Sequence, residues 1–164
     1  MTLVAFVLSV IIGTASLAYG YSQAGMTDPA RWFILLGIVW ILSHWRKVYW
    51  VSSFAFFLAI LGAAYGVWND LPTIWMLLGA LGGLLGWDLS DFARRLSYAA
   101  PTDDVQGLER RHLARVSVVA ALGFGLAWLS TVIQINRLAF EVAVGLVLLA
   151  ALGLARLVVR LRKY

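Results

Sequence analysis

Six long apolar stretches, separated by short clusters of charged and turn-forming residues, constrain the fold of this 164-residue chain more than any other feature. A bilayer core of about 30 Å requires about 17 to 25 apolar residues in a helix, because a helix satisfies its backbone polar groups internally. The stretches approach this length and cover residues 3–21, 29–45, 48–68, 72–87, 116–135 and 138–159. The sequence therefore predicts an all-α fold, a polytopic bundle of six transmembrane helices in one domain.

The composition indicates that lipid is the solvent for much of this chain. Hydrophobic residues make up 62% and charged residues 13%, against roughly 45–50% and about 25% in soluble domains. Cysteine is absent, which excludes disulfides, thiolate metal sites and iron–sulfur clusters. The net charge of +5 comes from basic residues that flank the apolar stretches. We therefore expect anionic lipid headgroups, and not nucleic acid, as the partners of these charges.

Turn signals separate the first four stretches. Residues 29–67 as one helix would be nearly 60 Å long, about twice the membrane, so we predict a break at 44–47 that makes an antiparallel hairpin. Asp28 is predicted to cap the second helix, with Pro29 in its first turn. A tight turn at 69–72 is predicted to start the fourth helix.

The distribution of lysine and arginine predicts the orientation, because cytoplasmic loops retain these residues. One set of loops holds eleven of the 13 and the opposite set holds Arg31 and Arg137. This bias places both termini and the loop 88–115 in the cytoplasm of a multi-pass protein of the cell membrane. The eleven are Arg46, Lys47, Arg94, Arg95, Arg110, Arg111, Arg115, Arg156, Arg160, Arg162 and Lys163.

Six of the eight tryptophans fall near the predicted ends of the spans, where amphipathic indole rings favour the headgroup level. The other two, Trp40 and Trp128, fall inside spans and are interpreted as packing residues. The predicted outer anchors are Trp32, Trp68 and Trp75, and the predicted inner anchors are Trp45, Trp50 and Trp87.

Glycines at four-residue spacing predict where helices approach closely, because van der Waals packing must hold helices together in lipid. The third span contains one such pair and the fourth contains two, so we expect these two helices to meet through their glycine faces. The alternative is a self-association face that forms a homodimer. The pairs are Gly62 with Gly66, Gly79 with Gly83, and Gly82 with Gly86.

The loop 88–115 holds the only concentrated polar chemistry and is predicted to form a short amphipathic helical hairpin. The apolar period from Leu85 to Leu96 predicts that its first helix lies along the inner leaflet or continues the fourth span into the cytosol. Asp88 and Asp91 share one helix face, as do Glu109 and His112. Three carboxylates and one histidine could bind a metal ion, and a second interpretation pairs the aspartates with neighbouring arginines. We favour the ion pairs and predict no cofactor.

No predicted span carries a charged residue or histidine near its midpoint, where coupled ion and proton transporters place their relays. The sequence therefore favours a non-catalytic membrane subunit or scaffold over an enzyme. It would bind a membrane-protein partner or a second copy through its apolar faces and its charged loop. The alternatives are an oligomeric transporter or channel for an apolar or uncharged solute, and a metal-dependent enzyme acting on lipid headgroups.

Overall fold

Five α-helices form the part of the chain described by our computed structural model, which covers residues 2–98 and 105–132, with side chains of the second range from 106 to 127. No strand occurs in these ranges. The predicted all-helical class is therefore confirmed for them, whereas the sixth predicted span, 138–159, lies outside the described residues. The helices are α1 (Thr2–Gln23), α2 (Thr27–Trp45), α3 (Trp50–Trp68), α4 (Thr73–Leu96) and α5 (Val105–Val132).

Three of these helices, α1, α3 and α4, are long and apolar enough to cross a bilayer. Helix α2 is not among the three. It has 19 residues, but Asp28, Arg31 and His44 lie near its ends and lower its mean hydropathy. The described helices are thus compatible with the predicted membrane localisation.

Left-handed backbone positions reverse the chain between the first four helices. Gly25 has φ +75° between α1 and α2, a conformation that glycine adopts without steric cost. Lys47 and Asp70 each have φ 57°, between α2 and α3 and between α3 and α4. The break predicted at 44–47 and the turn predicted at 69–72 coincide with the last two reversals.

The start of α2 differs from the prediction for Asp28. The helix begins at Thr27 after Met26, which makes no side-chain capping bond, so Asp28 lies inside the first turn. There its carboxylate faces the positive end of the helix dipole. It also lies 3.9 Å from Arg31 in an exposed ion pair.

The loop between the fourth and fifth predicted spans is largely a continuation of helices. Helix α4 runs without interruption past residue 87 to Leu96, and α5 is continuous from Val105. Of the two predicted arrangements for the first helix of this loop, the structure has the one in which it continues the fourth helix, and the second half of α4 and the first half of α5 occupy the loop. Continuous helices keep every backbone hydrogen bond that a break at residue 87 would have to satisfy elsewhere. Residues 99–104 lie outside the described residues.

Helix α1 is the centre of the described bundle. It packs most extensively against α4 and also against α2 and α3, while α3 packs against α4. One buried cluster forms around Leu17, Tyr21 and Met76. A second forms around Phe6 and Trp40.

Candidate functional site at the polar end of the bundle

Most polar side chains with a defined tertiary partner lie at one end of the bundle, which we call the polar end. It comprises the start of α1, the end of α2, the start of α3, the second half of α4 and the first half of α5. Contacts of Phe6 with His44, and of Thr2 with Glu109, bring these segments together. All four residues singled out as possible metal ligands lie here.

Asp88 and His112 join α4 to α5. Their Oδ2 and Nε2 atoms are 2.8 Å apart, and the side chains are 37% and 23% exposed. Because a carboxylate only accepts hydrogen bonds, the proton in this contact belongs to Nε2 of His112. The imidazole also stacks on the ring of Phe92, with centroids 3.9 Å apart and planes 8° apart. Asp88 and Phe92 are four residues apart on α4, so one helix face supplies both contacts.

Asp91 turns to the arginines of its own helix. Its carboxylate accepts hydrogen bonds from Arg94 and from Nε of Arg95, the latter at 2.8 Å. Spacings of three and four residues on a helix place these side chains side by side. The ion-pair interpretation therefore describes Asp91, whereas Asp88 pairs with a histidine instead of an arginine.

Glu109 connects the start of α5 to the start of α1 through a hydrogen bond. The hydroxyl of Thr2 donates a 2.8 Å hydrogen bond to Oε1 of Glu109. This hydrogen bond is the main reason why the pKa of Glu109 is lowered from its ordinary value.

The four candidate ligands are thus divided among three different contacts. Only Asp88 and His112 come together, and Asp91 and Glu109 have other partners. Within the described residues no group of three or more histidine and acidic side chains is arranged to hold a metal ion. The described polar contacts of these four residues either join helices or pair side chains within α4.

His44, at the end of α2, packs inside the polar end. Its ring stacks on Phe6 at 4.2 Å and meets Tyr49 edge-on at 6.2 Å. Its Nδ1 lies 3.5 Å from the hydroxyl of Ser90. The sequence gives no signal for these contacts, because the four residues belong to four different helices or turns.

The predicted glycines of α4 lie mainly against α1. A Cβ at Gly82 would lie 2.6 Å from the backbone nitrogen of Gly13, and one at Gly86 would lie 2.9 Å from Val10. Gly79 approaches the side chain of Leu17.

The remaining predicted glycines have different partners. Gly83 faces Ala59 of α3, with 3.1 Å between the two Cβ positions. In α3 itself, Gly62 accommodates Phe33 and Gly66 accommodates Met76. The glycines therefore mark close packing inside the chain, but α3 and α4 do not meet glycine to glycine.

The tryptophans divide into exposed and packed groups. Trp40 is 1% exposed and donates a 2.9 Å hydrogen bond to Ser52, whereas the side chain of Trp128 lies outside the described part. Two predicted anchors are half-buried: Trp75 packs edge-on against Tyr19, and Trp87 stacks on Phe56. The other four are exposed near helix ends, namely Trp32, Trp45, Trp50 and Trp68.

An apolar groove of about 640 Å³ runs between α2 and α3. Its walls extend from Pro29 to Val39 on α2 and from Val51 to Tyr65 on α3, with Tyr21 of α1 at the base. Helical periodicity predicts which residues share a face but not how far two helices diverge, so the groove was not predictable.

Comparison of the chain with protein-family models, with curated proteins and with solved structures finds no match.

Proposed function

We propose that the chain is a small multi-pass membrane protein that acts as a non-catalytic subunit or scaffold. It binds a partner membrane protein through its apolar surface, with the groove between α2 and α3 as the docking face. The observation that carries the proposal is a contrast between two sets of residues. The candidate metal-binding side chains are engaged within the chain, whereas the groove is lined almost wholly by carbon and open at the surface.

The topology belongs to the same proposal. We infer six membrane crossings, with α2, α5 and residues 138–159 added to the three apolar helices, and with both termini in the cytoplasm. The bias of eleven basic residues to two supports this orientation. In this orientation the polar end lies at the cytoplasmic face, next to anionic headgroups.

The dimensions of the groove support a helix as its occupant. The wall from Val51 to Tyr65 is about 20 Å long, the length of about 14 residues of a neighbouring helix. Van der Waals packing drives helix association in lipid, and a concave wall offers more such contact than a flat face. Phe33 and Phe54 supply large apolar surfaces within it.

The glycine packing bears on the transporter alternative. An oligomer built across Gly79 and Gly83 needs these faces on the outside of the bundle. Instead Gly79 is buried against Leu17 and Gly83 against Ala59. This occupation by the chain itself supports the scaffold over a pore formed at that face.

Purification from native membranes in mild detergent, with a photo-crosslinking residue at Leu61, tests the proposal. Leu61 lines the groove, and the adjacent Ile60 is a matched control at the same depth on another face. We expect one discrete membrane-protein partner that crosslinks from position 61 and not from position 60. Co-purification should be lost in Val39→Trp, which fills the groove, and kept in Ile38→Trp, which is similarly exposed outside it.

A lone monomer without crosslinks would contradict the scaffold role. Crosslinking of Leu61 to lipid alone would show that the groove holds acyl chains, and would equally remove the proposed docking face.

A further inference from the structure

A small cavity of about 90 Å³ lies at the polar end, between the first turns of α3 and the second half of α4. It lies across α3 from the groove and has a different chemistry. Its lining combines four hydroxyl side chains with an indole, a carboxylate and a guanidinium, namely Tyr49, Ser52, Ser53, Ser90, Trp87, Asp91 and Arg94.

Two of the hydroxyls each accept a hydrogen bond from an indole. Nε1 of Trp40 donates to Oγ of Ser52 at 2.9 Å, and Nε1 of Trp87 donates to Oγ of Ser53 at 3.2 Å. An indole N–H can only donate, so each serine oxygen acts as the acceptor and its own proton remains available. The α3 wall of the cavity therefore offers hydroxyl protons to an acceptor.

The carboxylate of the cavity is paired with two arginines, of which Arg94 lines the cavity and Arg95 lies outside it. Asp91 accepts hydrogen bonds from both Arg94 and Arg95, so two cations share one anion. The side chain of Arg94 is 49% exposed and lines the cavity, which leaves guanidinium donors for a further anion. The exposed Arg46 and Lys47 lie in the turn that leads to Tyr49.

The cavity also lies at the depth expected for headgroups. Trp87 stacks on Phe56 with ring centroids 5.5 Å apart, and Asp91 and Arg94 follow one and two turns later on α4. Trp50, at the start of α3, is 71% exposed. Indole rings next to arginines are typical of the boundary between the acyl chains and the headgroups.

We propose that this cavity binds a phosphate group, and that its source is the headgroup of an anionic phospholipid. The charged oxygens of a phosphate group accept hydrogen bonds, and those of a lipid phosphodiester only accept, so hydroxyl protons and a guanidinium fork are complementary to them. The lipid source rests on the proposed cytoplasmic placement of the polar end, whereas the complementarity to phosphate does not.

Native mass spectrometry of the full-length protein tests the proposal with three probes. These are mixed micelles of phosphatidylcholine with phosphatidylglycerol, micelles of phosphatidylcholine alone, and inorganic phosphate. We expect phosphatidylglycerol to be retained in preference to phosphatidylcholine. Retention of inorganic phosphate with no preference for phosphatidylglycerol would support the cavity but assign it a soluble ligand.

Arg94→Gln and Arg95→Gln form a matched pair, because both arginines bind Asp91 and only Arg94 lines the cavity. Loss of a hydrogen bond to a charged group should weaken binding about tenfold or more in Arg94→Gln. Arg95→Gln removes one of the two cations paired with Asp91 but no donor that lines the cavity, so it should weaken binding less than Arg94→Gln does. Ser53→Ala changes no charge at an exposed position and should weaken binding about fivefold.

Equal losses in the two arginine variants would show a diffuse basic surface and overturn the site. Binding of no phosphate-bearing probe would also overturn it. Neither result affects the crosslinking and co-purification test of the scaffold role, since Leu61 and Val39 lie in the groove and not in the cavity. A failure of the scaffold proposal is therefore distinguishable from a failure of the phosphate site.

Discussion

Replacement of Gly82 by alanine is expected to force α1 and α4 apart. The added Cβ would lie 2.6 Å from the backbone nitrogen of Gly13 and 2.8 Å from the carbonyl oxygen of Ser9. Heavy atoms pack at about 3.5–4.0 Å, so the backbones must separate by roughly 1 Å. Neither neighbouring atom belongs to a side chain that could rotate away. Overpacking of this kind costs about 1–3 kcal/mol.

Gly123 of α5 supplies the matched control, because no atom of the described residues lies within 4 Å of a Cβ there. Alanine stabilises a helix interior by about 0.5–1 kcal/mol relative to glycine, and this intrinsic effect cancels when the two variants are compared. In reversible unfolding in mixed micelles, followed by circular dichroism, Gly82→Ala should be about 1–3 kcal/mol less stable than Gly123→Ala. Gly83→Ala, whose Cβ would lie 3.1 Å from that of Ala59, should fall between them. Equal stability of Gly82→Ala and Gly123→Ala would refute the close contact of α1 with α4.

Three further contacts give predictions of their own. Tyr21→Phe removes the 2.7 Å hydrogen bond from the tyrosine hydroxyl to the carbonyl of Gly62 and should lower the free energy of unfolding by about 1 kcal/mol; an unchanged value would mean that the bond contributes nothing. A double-mutant cycle of Asp88→Ala and His112→Ala should give a coupling energy of about 0.5–1 kcal/mol, whereas additive losses would argue against their contact. Because the pKa of Glu109 is lowered in the folded protein, its contribution to the free energy of unfolding is complete above the ordinary value of 4.5 and is lost as the pH falls through the lowered value. Glu109→Gln should remove that part of the pH dependence of thermal unfolding, and a parent-like pH profile in this variant would assign it to another group.

The turns and helices were the most predictable part of this structure. The lengths of the apolar stretches and the polar residues between them indicate both the helices and the reversals at Lys47 and Asp70. The continuity of α4 past residue 87 was only one of two options in the sequence. The amphipathic period from Leu85 to Leu96 fits a surface helix and an extended α4 equally well, since both bury the same apolar face.

The partners of the glycines could not be predicted from their spacing. A four-residue spacing identifies a face of one helix, whereas the helix that packs on it depends on how the whole bundle is arranged. The four-residue spacing also did not identify Gly13, whose backbone is the nearest neighbour of Gly82. Gly13 has no glycine four residues away in α1, so its role appears only in three dimensions.

Local spacing predicted one contact of the polar end and missed the others. The pairing of Asp91 with Arg94 and Arg95 follows from positions three and four residues apart on one helix. Asp88 and His112 are 24 positions apart and meet only because α4 and α5 pack at this end. The serines of the cavity carried no sequence signal, since serine is common throughout apolar helices.

The most direct test of the account concerns the side of the membrane on which the polar end lies. The chain has no cysteine, so single cysteines can be introduced at two exposed positions, Ala24 between α1 and α2 and Ser97 after α4. In intact cells, a membrane-impermeant maleimide should label Ala24→Cys, and it should label Ser97→Cys only after the membrane is permeabilised. Labelling of both positions from the outside, or of Ser97→Cys alone, would contradict the proposed topology and the cytoplasmic placement of the polar end.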